Sequence, residues 1–347
     1  MGIRHWSFGL ILGLGCTFGA LPIHAQQDPA TVEIQTIPLN SGVYMLMGDG
    51  GNIAISVGED GVFMVDDQFA PLSDKIKAAI AKLTDQPVKF IVNTHWHFDH
   101  VGGNENFAKG GTVIVAHNNV RKRMATEQFI EAFQRTVPPS PKAALPMVTF
   151  FDGTTFHMNG QTIGVQHTQI PAHTDGDSII YFEEANVLHA GDTYFNGLYP
   201  FIDSSSGGSL VGMISAVETM LKFTNDQTQI IPGHGPLSNK KQLKEYLVLL
   251  NYVQDKVNDA LASGMSLDAF LASKPTAKYD DTWGKAFLSP EKFLTIVYRD
   301  AEKSQGKAMT PDTSAPAKHE HHHHHEKENH HSALPTSDMA SVVRGLF

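Results

Sequence analysis

The segment Thr94–His100 constrains this chain more than any other feature. It places three histidines and one aspartate within six residues, directly after an apolar, strand-like stretch. Imidazole and carboxylate groups are ligands that suit zinc. Because side chains alternate between faces in an extended segment, we expect His95, His97 and Asp99 to project to one side. A turn that begins at His100 can then bring the fourth ligand back. The run predicts a divalent-metal site.

The composition favours a globular, acidic protein. A length of 347 residues allows one large domain or two small ones, and 41% hydrophobic residues can form a sizeable core. The chain has 26 Lys and Arg residues against 36 Asp and Glu residues, which gives a formal net charge of -10. A negative charge of this size disfavours nucleic acid as a partner.

The first residues predict an export signal. A basic residue, Arg4, precedes the apolar run Phe8–Leu21, and Ala25 precedes a polar stretch. We expect cleavage after Ala25 and a periplasmic or secreted protein; a retained membrane anchor is the less favoured alternative, since the apolar run is short. The single cysteine, Cys16, lies within this signal. The mature chain would therefore form no disulfide, and its zinc ligands would be nitrogen and oxygen atoms.

The rest of the chain alternates strand-like and helix-like stretches in two comparable halves, which predicts two sheets packed face to face with helices outside. Helices are predicted over Leu72–Leu83, His117–Val137, Leu210–Phe223, Lys240–Ser263 and Pro290–Ser304, with a short one capped by Asn104. Strands are predicted at Val32–Ile37, Gly42–Met47, Asn52–Val57, Val62–Val65, Thr112–Ala116, Thr154–Met158, Thr162–Ile170, Ser178–Phe182, Val187–Ala190 and Gln229–Ile231.

Three further candidate ligands follow predicted strands in the second half of the chain. His173, Asp192 and His234 each lie in a loop just after a strand end. Such loops can converge on one rim of a rigid scaffold. A lone histidine at such a place is more often a structural hydrogen-bonding residue, so it is the order of these residues after the histidine cluster that indicates a site.

In this order the motifs resemble the metallo-β-lactamase superfamily, over about residues 31–304. Asp66 closes an early strand, the His-x-His-x-Asp-His run follows, and His173, Asp192 and His234 complete the set. The resemblance implies an α/β fold, the αββα sandwich of two mixed sheets flanked by helices, with a binuclear metal site at one edge.

The resemblance also implies a role for each of these residues, with two zinc ions per chain. The first ion would be bound by His95, His97 and His173, and the second by Asp99, His100 and His234. Asp192 would bridge the ions. Asp66 would not touch metal but would hold the metal-bearing loop by hydrogen bonds.

Such a pair of ions has a chemistry that does not depend on the substrate. Two divalent ions about 3.5–4 Å apart lower the pKa of a bridging water, so that hydroxide exists near neutral pH. Asp99 would be the catalytic residue that orients this hydroxide or receives its proton. Because imidazoles ligate only when neutral, we expect activity to fall below about pH 6, near their reference pKa of about 6.5. Iron or manganese in place of zinc stays open.

The predicted function is an exported hydrolase of a small molecule. A β-lactam ranks narrowly first among substrates, because the predicted periplasmic location and the spacing of the motifs resemble those of the true β-lactamases in this superfamily. However, Asp192 stands where the best-known lactamase subclass has cysteine, so an ester, lactone, thioester, phosphate or sulfate is the alternative. A zinc-sequestering protein with vestigial catalysis is a second hypothesis, which the full ligand set disfavours. A tRNA-processing nuclease is opposed by the charge and the signal.

Two loops are candidates for substrate recognition. One is Phe69–Pro71, and the other follows Asp192 and offers Tyr194, Asn196 and Tyr199 as aromatic and amide groups. Packing under the sandwich edge is an equally weighted alternative for the second loop. His117, His157, His167 and His189 are expected to be structural or surface residues.

The C-terminal segment is predicted to be a separate unit. We place the catalytic domain at residues 26–305 and a disordered, metal-binding tail at 306–347. The tail is rich in Lys, Thr, Pro, Ser and Ala and carries eight histidines within residues 319–331. An expression tag is the alternative, but sixteen residues follow the last of these histidines. We expect the tail to collect metal for the site.

Overall fold

The computed structural model describes residues 28–309, which form two β-sheets packed face to face. The predicted signal peptide and nearly all of the predicted tail lie outside these residues. In chain order the strands are β1 Gln35–Pro38, β2 Val43–Met47, β3 Ile53–Gly58, β4 Gly61–Val65, β5 Val88–Asn93, β6 Val113–His117, β7 Gln128–Ile130, β8 Arg135–Val137, β9 Val148–Phe150, β10 Gly153–Met158, β11 Gln161–His167, β12 Ser178–Phe182, β13 Val187–His189, β14 Gln229–Ile231 and β15 Ser238–Asn239.

Helices cover the outer faces of the two sheets. In chain order they are α1 Ser73–Ala81, α2 Phe98–Val101, α3 Asn104–Ala108, α4 Asn118–Met124, α5 Leu210–Phe223, α6 Lys240–Ala262, α7 Leu267–Ala272, α8 Ala277–Trp283 and α9 Pro290–Met309. Among residues 28–309, none of these helices combines the length and the apolar character needed to cross a bilayer.

The first sheet has the strand order β1-β2-β3-β4-β5-β6-β9 and the second the order β10-β11-β12-β13-β14-β15. Strands β4, β5, β6 and β9 run parallel, and so do β13 and β14. Because β11 and β13 each pair antiparallel with β12, β11 runs in the same direction as β13. The loops that follow β11, β13 and β14 therefore leave the second sheet at one edge.

The inner faces of the sheets meet in a core of aliphatic and aromatic side chains. Phe63 of the first sheet makes edge-to-face contacts with Phe156 at 5.0 Å and Phe182 at 6.0 Å between ring centroids. Val65 and Ile231 also belong to this buried cluster. Full burial of one such side chain is worth ~1.5–3 kcal/mol, so this layer fixes the sandwich on which the site is built.

The outer core also follows from the sequence pattern. In α1, Ile76, Ala79 and Ile80 recur at helical spacing, and all three are buried against the first sheet. Helices α5 and α6 cover the second sheet with their buried faces, which form the largest hydrophobic cluster of the described residues. The predicted α/β fold, an αββα sandwich of two mixed sheets flanked by helices, is confirmed.

The long helix predicted over His117–Val137 is wrong. Only α4 is α-helical, and residues 128–137 form a hairpin of β7 and β8, joined by a single 3-10 turn at Glu131–Phe133, that pairs outside both large sheets. In β7 the exposed Phe129 precedes the buried Ile130, which is the alternation of a strand, and Gln134 turns the chain with a positive φ of 49°. We call residues Gln128–Val137 the recognition hairpin.

Smaller differences concern the ends of elements. Asn104 starts α3 but does not cap it, because its amide bonds the side chain of Asn93 and the carbonyl of Ala144 instead. The strand expected to reach Ile170 ends at His167. Helix α9 continues to Met309, five residues beyond its predicted end and past the start assigned to the tail.

Candidate metal centre

The metal-binding run is a loop and a helical turn rather than an extended strand. Strand β5 ends at Asn93, and α2 begins at Phe98, so Asp99 and His100 lie on one helical turn. The predicted alternation of side chains along the run is therefore wrong. The helical turn directs the side chains of Asp99 and His100 toward the same region. The ligands gather because of this turn, not because side chains alternate along a strand.

The seven predicted ligands come together at the edge where the strands end. Their ligand atoms fall into three groups, each within 4.8 Å: His95, His97 and His173; His95, His100 and Asp192; Asp99, His100 and His234. We call the first of these the first half-site and the last the second half-site. These two half-sites contain the residues that the family resemblance assigns to the two ions, and Asp192 falls in the group that also contains His95 and His100.

Asp192 is within reach of both half-sites. Its Oδ1 lies 3.1 Å from His100 Nε2, and its Oδ2 lies 3.5 Å from both His173 Nε2 and His234 Nε2. The short 3-10 turn after β13 holds this carboxylate, which is buried. The position suits a carboxylate shared between two cations.

Hydrogen bonds fix the histidines of the first half-site with one nitrogen facing the centre. His173 Nδ1 donates to the carbonyl of Phe201 at 2.7 Å, and His97 Nε2 donates to Asp203 Oδ2 at 3.0 Å. Their remaining nitrogens, His173 Nε2 and His97 Nδ1, lie 2.7 Å apart. In the neutral rings both of these atoms carry lone pairs, which repel each other at this distance unless a cation lies near them.

Asp66 links the two half-sites through hydrogen bonds to Thr94 and His100. It accepts hydrogen bonds from the backbone and the hydroxyl of Thr94 and from His100 Nδ1, each at 2.7 Å. Because the Thr94 hydroxyl donates to Asp66, it accepts from His95 Nδ1 at 3.0 Å. His95 Nε2 is then left facing the centre, buried and without a hydrogen-bond partner among the described residues. The donor set fits metal ions, and Asp66 makes the hydrogen bonds that its predicted role requires.

The two half-sites differ in their electrostatics. Burial lowers the pKa of His173 to about 4 and, with the charge of His100, holds the pKa of His95 well below its usual range. Burial also opposes the charged form of His234, but Asp192 and Asp99 outweigh it and raise its pKa to about 9. The carboxylates likewise raise the pKa of the buried His100. Protons therefore compete with metal mainly in the second half-site.

Two glycines make room for the ligands. A Cβ on Gly51 would stand 2.1 Å from the ring of His100, and a Cβ on Gly233 would stand 2.1 Å from Asp192 Oδ1. A side chain at either position would displace a ligand, so the close approach of backbone to ligand depends on these glycines.

The centre opens to solvent on one side. The side chains of Asp99 and His234 are 21% and 24% exposed, whereas Asp192 is 6% exposed and the other four ligands are less exposed than that. The second half-site is therefore the part of the centre that solvent can reach. Phe69 contacts Phe98, the residue before Asp99, with the two rings tilted and their centroids 5.7 Å apart. This places the predicted loop Phe69–Pro71 at the opening.

The side chains of the other candidate loop pack inside the protein, which favours the packing alternative. Tyr194 is fully buried, and its hydroxyl bonds Ser238 and Asn196. Tyr199 stacks on Phe293 of α9 and donates to Asp280. The amide of Asn196 donates to the carbonyl of Pro236. Burial raises the pKa of both tyrosines above the ordinary value of a phenol, so they remain neutral packing residues.

Sequence reasoning missed the residues that position His97 and His173. Asp203 accepts the hydrogen bond of His97, and its backbone amide donates to the carbonyl of His173 at 2.9 Å. Asp177 accepts from the backbone amides of His173 and Thr174. A signal existed for Asp203, since an aspartate three residues before Ser206 is typical of a turn cap. Nothing in the sequence connected that turn to the metal-binding loop.

The remaining predicted structural histidines lie outside the three ligand groups. His189 is buried, donates from Nε2 to the carbonyl of Asn52 and accepts from the amide of Gly191. His117 and His167 stack on each other with centroids 3.7 Å apart. These contacts satisfy the rings without metal.

Comparison with known proteins agrees with this geometry. The family model of the metallo-beta-lactamase superfamily matches residues 47–238, which include all seven ligands and Asp66. Hydroxyacylglutathione hydrolase GloC of Haemophilus influenzae is 30% identical over 168 residues, which cover 48% of this chain and 78% of that protein. The 2,4-dinitroanisole O-demethylase subunit alpha of Nocardioides sp. is 24% identical over 286 residues, which cover 80% of each chain.

A solved structure supports the fold. The metallo-beta-lactamase from Pontibacter korlensis superposes with a TM-score of 0.52 at 21% identity, covering 63% of this chain and 99% of that one. Its fold is the sandwich described above. With the family model matching more than half of the chain and the relatives acting as hydrolases, the protein belongs to the metallo-β-lactamase superfamily and is a metal-dependent hydrolase.

Proposed function

We propose that this protein is an exported binuclear zinc hydrolase that cleaves the acyl bond of a small carboxylic ester, thioester, lactone or β-lactam. One observation carries the proposal. Each of His95, His97, His100 and His173 has one ring nitrogen held by a protein oxygen, and the other nitrogen directed at a common centre. Pre-oriented ligands of this kind are typical of catalytic metal sites.

Nitrogen and oxygen donors of this set suit zinc, and the three ligand groups suit two ions that share Asp192. When bound, two zinc ions polarise the carbonyl under attack and lower the pKa of a bound water. The protein itself supplies orientation through the hydrogen bonds of Asp66 and Asp203, and it excludes water from the buried first half-site.

Asp99 is the residue placed to handle the proton. Its carboxylate lies 3.2 Å from His234 Nε2 at the open side of the centre. Burial opposes its charge, but His100 and His234 outweigh burial and lower its pKa to about 2. The carboxylate is therefore ionised at neutral pH and can accept a proton from a water molecule at Oδ2 during attack.

An acyl substrate has support among the relatives. The relative GloC, which is 30% identical to this chain over 168 residues, is named as a hydrolase of hydroxyacylglutathione, an acyl compound. Phosphate and sulfate esters are the alternative, because paired metal ions act on these groups as well. Export rests on the signal pattern of residues 1–25, and the metal-collecting role of residues 306–347 rests on their histidines.

The test combines metal analysis with hydrolysis. We expect the purified, zinc-loaded protein to contain two zinc ions and to cleave at least one acyl substrate from a panel of a chromogenic cephalosporin, a lactone, a thioester and a 4-nitrophenyl ester. A phosphodiester and an alkyl sulfate complete the panel. Asp99→Ala should lower the rate about 100-fold or more and lower the zinc content by at most one ion per chain, because Asp99 is one of the three ligands of the second half-site. The matched control is Asp226→Ala, at an exposed residue of a turn.

Each outcome distinguishes the hypotheses. Cleavage of the phosphodiester or the sulfate alone would replace the acyl proposal. Two bound zinc ions without turnover of any substrate would favour the zinc-sequestering hypothesis. An unchanged rate in Asp99→Ala would remove Asp99 from the mechanism.

A further inference from the structure

We propose that the recognition hairpin selects substrates that carry an anionic group on an apolar body, and that Arg135 binds the anionic group. The inference deepens the proposed function, because it concerns the opening of the same metal centre. It rests on the contacts of the hairpin with the rings around the ligands.

Arg135 lies against an aromatic ring of the metal-binding run. Its guanidinium carbon is 4.3 Å from the ring centroid of Phe98, which stands in the chain between the ligands His97 and Asp99. Phe98 in turn contacts the ring of Phe69. The side chain of Arg135 is exposed although it is held over a ring, so its N–H groups remain accessible to an incoming anion.

A second cation is arranged in the same way on the other side of the hairpin. Lys292 of α9 lies 4.3 Å from the ring centroid of Phe133. Phe133 contacts Phe201 at 4.7 Å and the partly exposed Phe287 at 5.7 Å. Phe201 packs against the ring of His97 at 5.8 Å. Aromatic surface therefore extends from the ligands to the protein surface and can bind an apolar body.

The hairpin is held in place rather than free to swing. The backbone amide of Glu131 donates to Ser205 Oγ at 3.3 Å, and its carboxylate pairs with Lys303 of α9 at 3.1 Å. At the other end, Gln128 bonds Arg123, whose guanidinium makes two hydrogen bonds with Asp175. A fixed scaffold positions Arg135 before a substrate arrives, which lowers the entropy lost on binding.

Charge makes this cation selective. The chain as a whole carries a formal charge of -10, which repels anions at long range. A planar guanidinium binds a carboxylate with two parallel hydrogen bonds, and such charge-assisted bonds are stronger than neutral ones. Arg135 therefore gives an anionic substrate a local contact that an uncharged analogue cannot make.

Binding of a matched pair of probes tests the proposal without turnover. The probes are 6-phenylhexanoate and its uncharged amide, titrated calorimetrically into the zinc-loaded full chain. We expect the wild type to bind the acid about tenfold more tightly than the amide. Arg135→Gln should remove this preference, and Arg135→Lys should keep part of it. Phe98→Ala should weaken both probes alike. Lys292→Gln should have a smaller effect on the acid than Arg135→Gln.

The control is Lys241→Gln, whose side chain is 86% exposed on α6. It should leave the preference unchanged. A preference that survives in Arg135→Gln would mean that the metal ions bind the carboxylate and would overturn the proposal, as would a wild type without preference. Loss of the preference in Lys241→Gln would also overturn it, since general charge would then explain the effect.

Hydrolysis separates this inference from the proposed function. The substrates are mono(4-nitrophenyl) adipate and 4-nitrophenyl hexanoate, which share a six-carbon acyl chain and differ in the terminal charge. Cleavage of both esters with equal KM and no binding preference would overturn the inference and leave the proposed function. A binding preference without cleavage of any acyl substrate would overturn the proposed function and keep Arg135 as an anion-binding residue.

Discussion

The two half-sites of the metal centre differ in how firmly the chain holds them. The first half-site consists of three buried histidines, each with its outer nitrogen bonded to a protein oxygen. The second half-site contains the two exposed ligands, Asp99 and His234, and its firm anchor is the bond from His100 to Asp66. We therefore expect the first half-site to hold its metal more firmly, and the second to be the place where a substrate and a proton are exchanged.

The largest expected effect comes from the residue that the half-sites share. Asp192→Ala removes the carboxylate near both sets and should lower kcat/KM by about 10³-fold or more, which corresponds to about 4 kcal/mol of transition-state stabilisation. Zinc analysis should show about one ion per chain, held by the first half-site. Loss of both ions in equal measure would contradict the difference between the half-sites.

The sequence indicated which side chains gather at one edge, because the candidate ligands follow strand ends and strand ends are local features; that these side chains bind metal stays a prediction. Prediction from sequence failed where distant residues decide the outcome. Tyr199 looked available to a substrate because its contacts, Asp280 and Phe293, lie 81 and 94 residues further along the chain. The sequence predicts a helix where the recognition hairpin lies. In a polar segment with few apolar residues, the spacing of these residues fits a helix and a strand equally well, and packing against the rest of the protein decides between them.

The pH dependence of zinc binding sharpens the comparison. In the metal-free protein, burial keeps the pKa of His173 at about 4, so this ring is neutral from pH 6 to 8. After opposing burial, Asp192 and Asp99 raise the pKa of His234 to about 9, so this ring is protonated over the same range. Zinc must displace that proton, and the raised pKa of His100 adds a second competing proton, so affinity for the second half-site should weaken at least about tenfold for each pH unit lost below 9.

Zinc titration at pH 6, 7 and 8 with two variants measures this. His173→Ala leaves the second half-site as the main binding site and should show the steep pH dependence. His234→Ala leaves the first half-site and should show little dependence in this window. The sequence alone predicted a common loss near pH 6, so equal slopes in the two variants would support that simpler expectation.

A third prediction concerns Asp203 and Asp66, the carboxylates that hold the ligand histidines of the two half-sites by hydrogen bonds. Asp203→Asn should weaken zinc binding at the first half-site about 10- to 100-fold, because the amide no longer favours the donating tautomer of His97. Asp66→Asn should act in the same way on the second half-site through His100, with a smaller effect on the first through Thr94. Asp268→Asn, at an exposed residue of α7, is the control. If both variants weakened zinc binding equally at the two half-sites, Asp203 and Asp66 would not each act on their own half-site.

The smallest effect concerns the histidine-rich segment, and it depends on the same asymmetry. The eight histidines of residues 319–331 follow α9 in the chain. If they collect zinc, they raise its local concentration near the metal centre of the same molecule. The weaker half-site gains most, because the firmer one is filled first when zinc is scarce. Deleting residues 310–347 should leave activity unchanged at saturating zinc and lower it about two- to threefold under zinc limitation. A tail with its histidines replaced by glutamine keeps the length and should behave like the deletion; if that variant keeps full activity at limiting zinc, metal collection by these histidines is excluded.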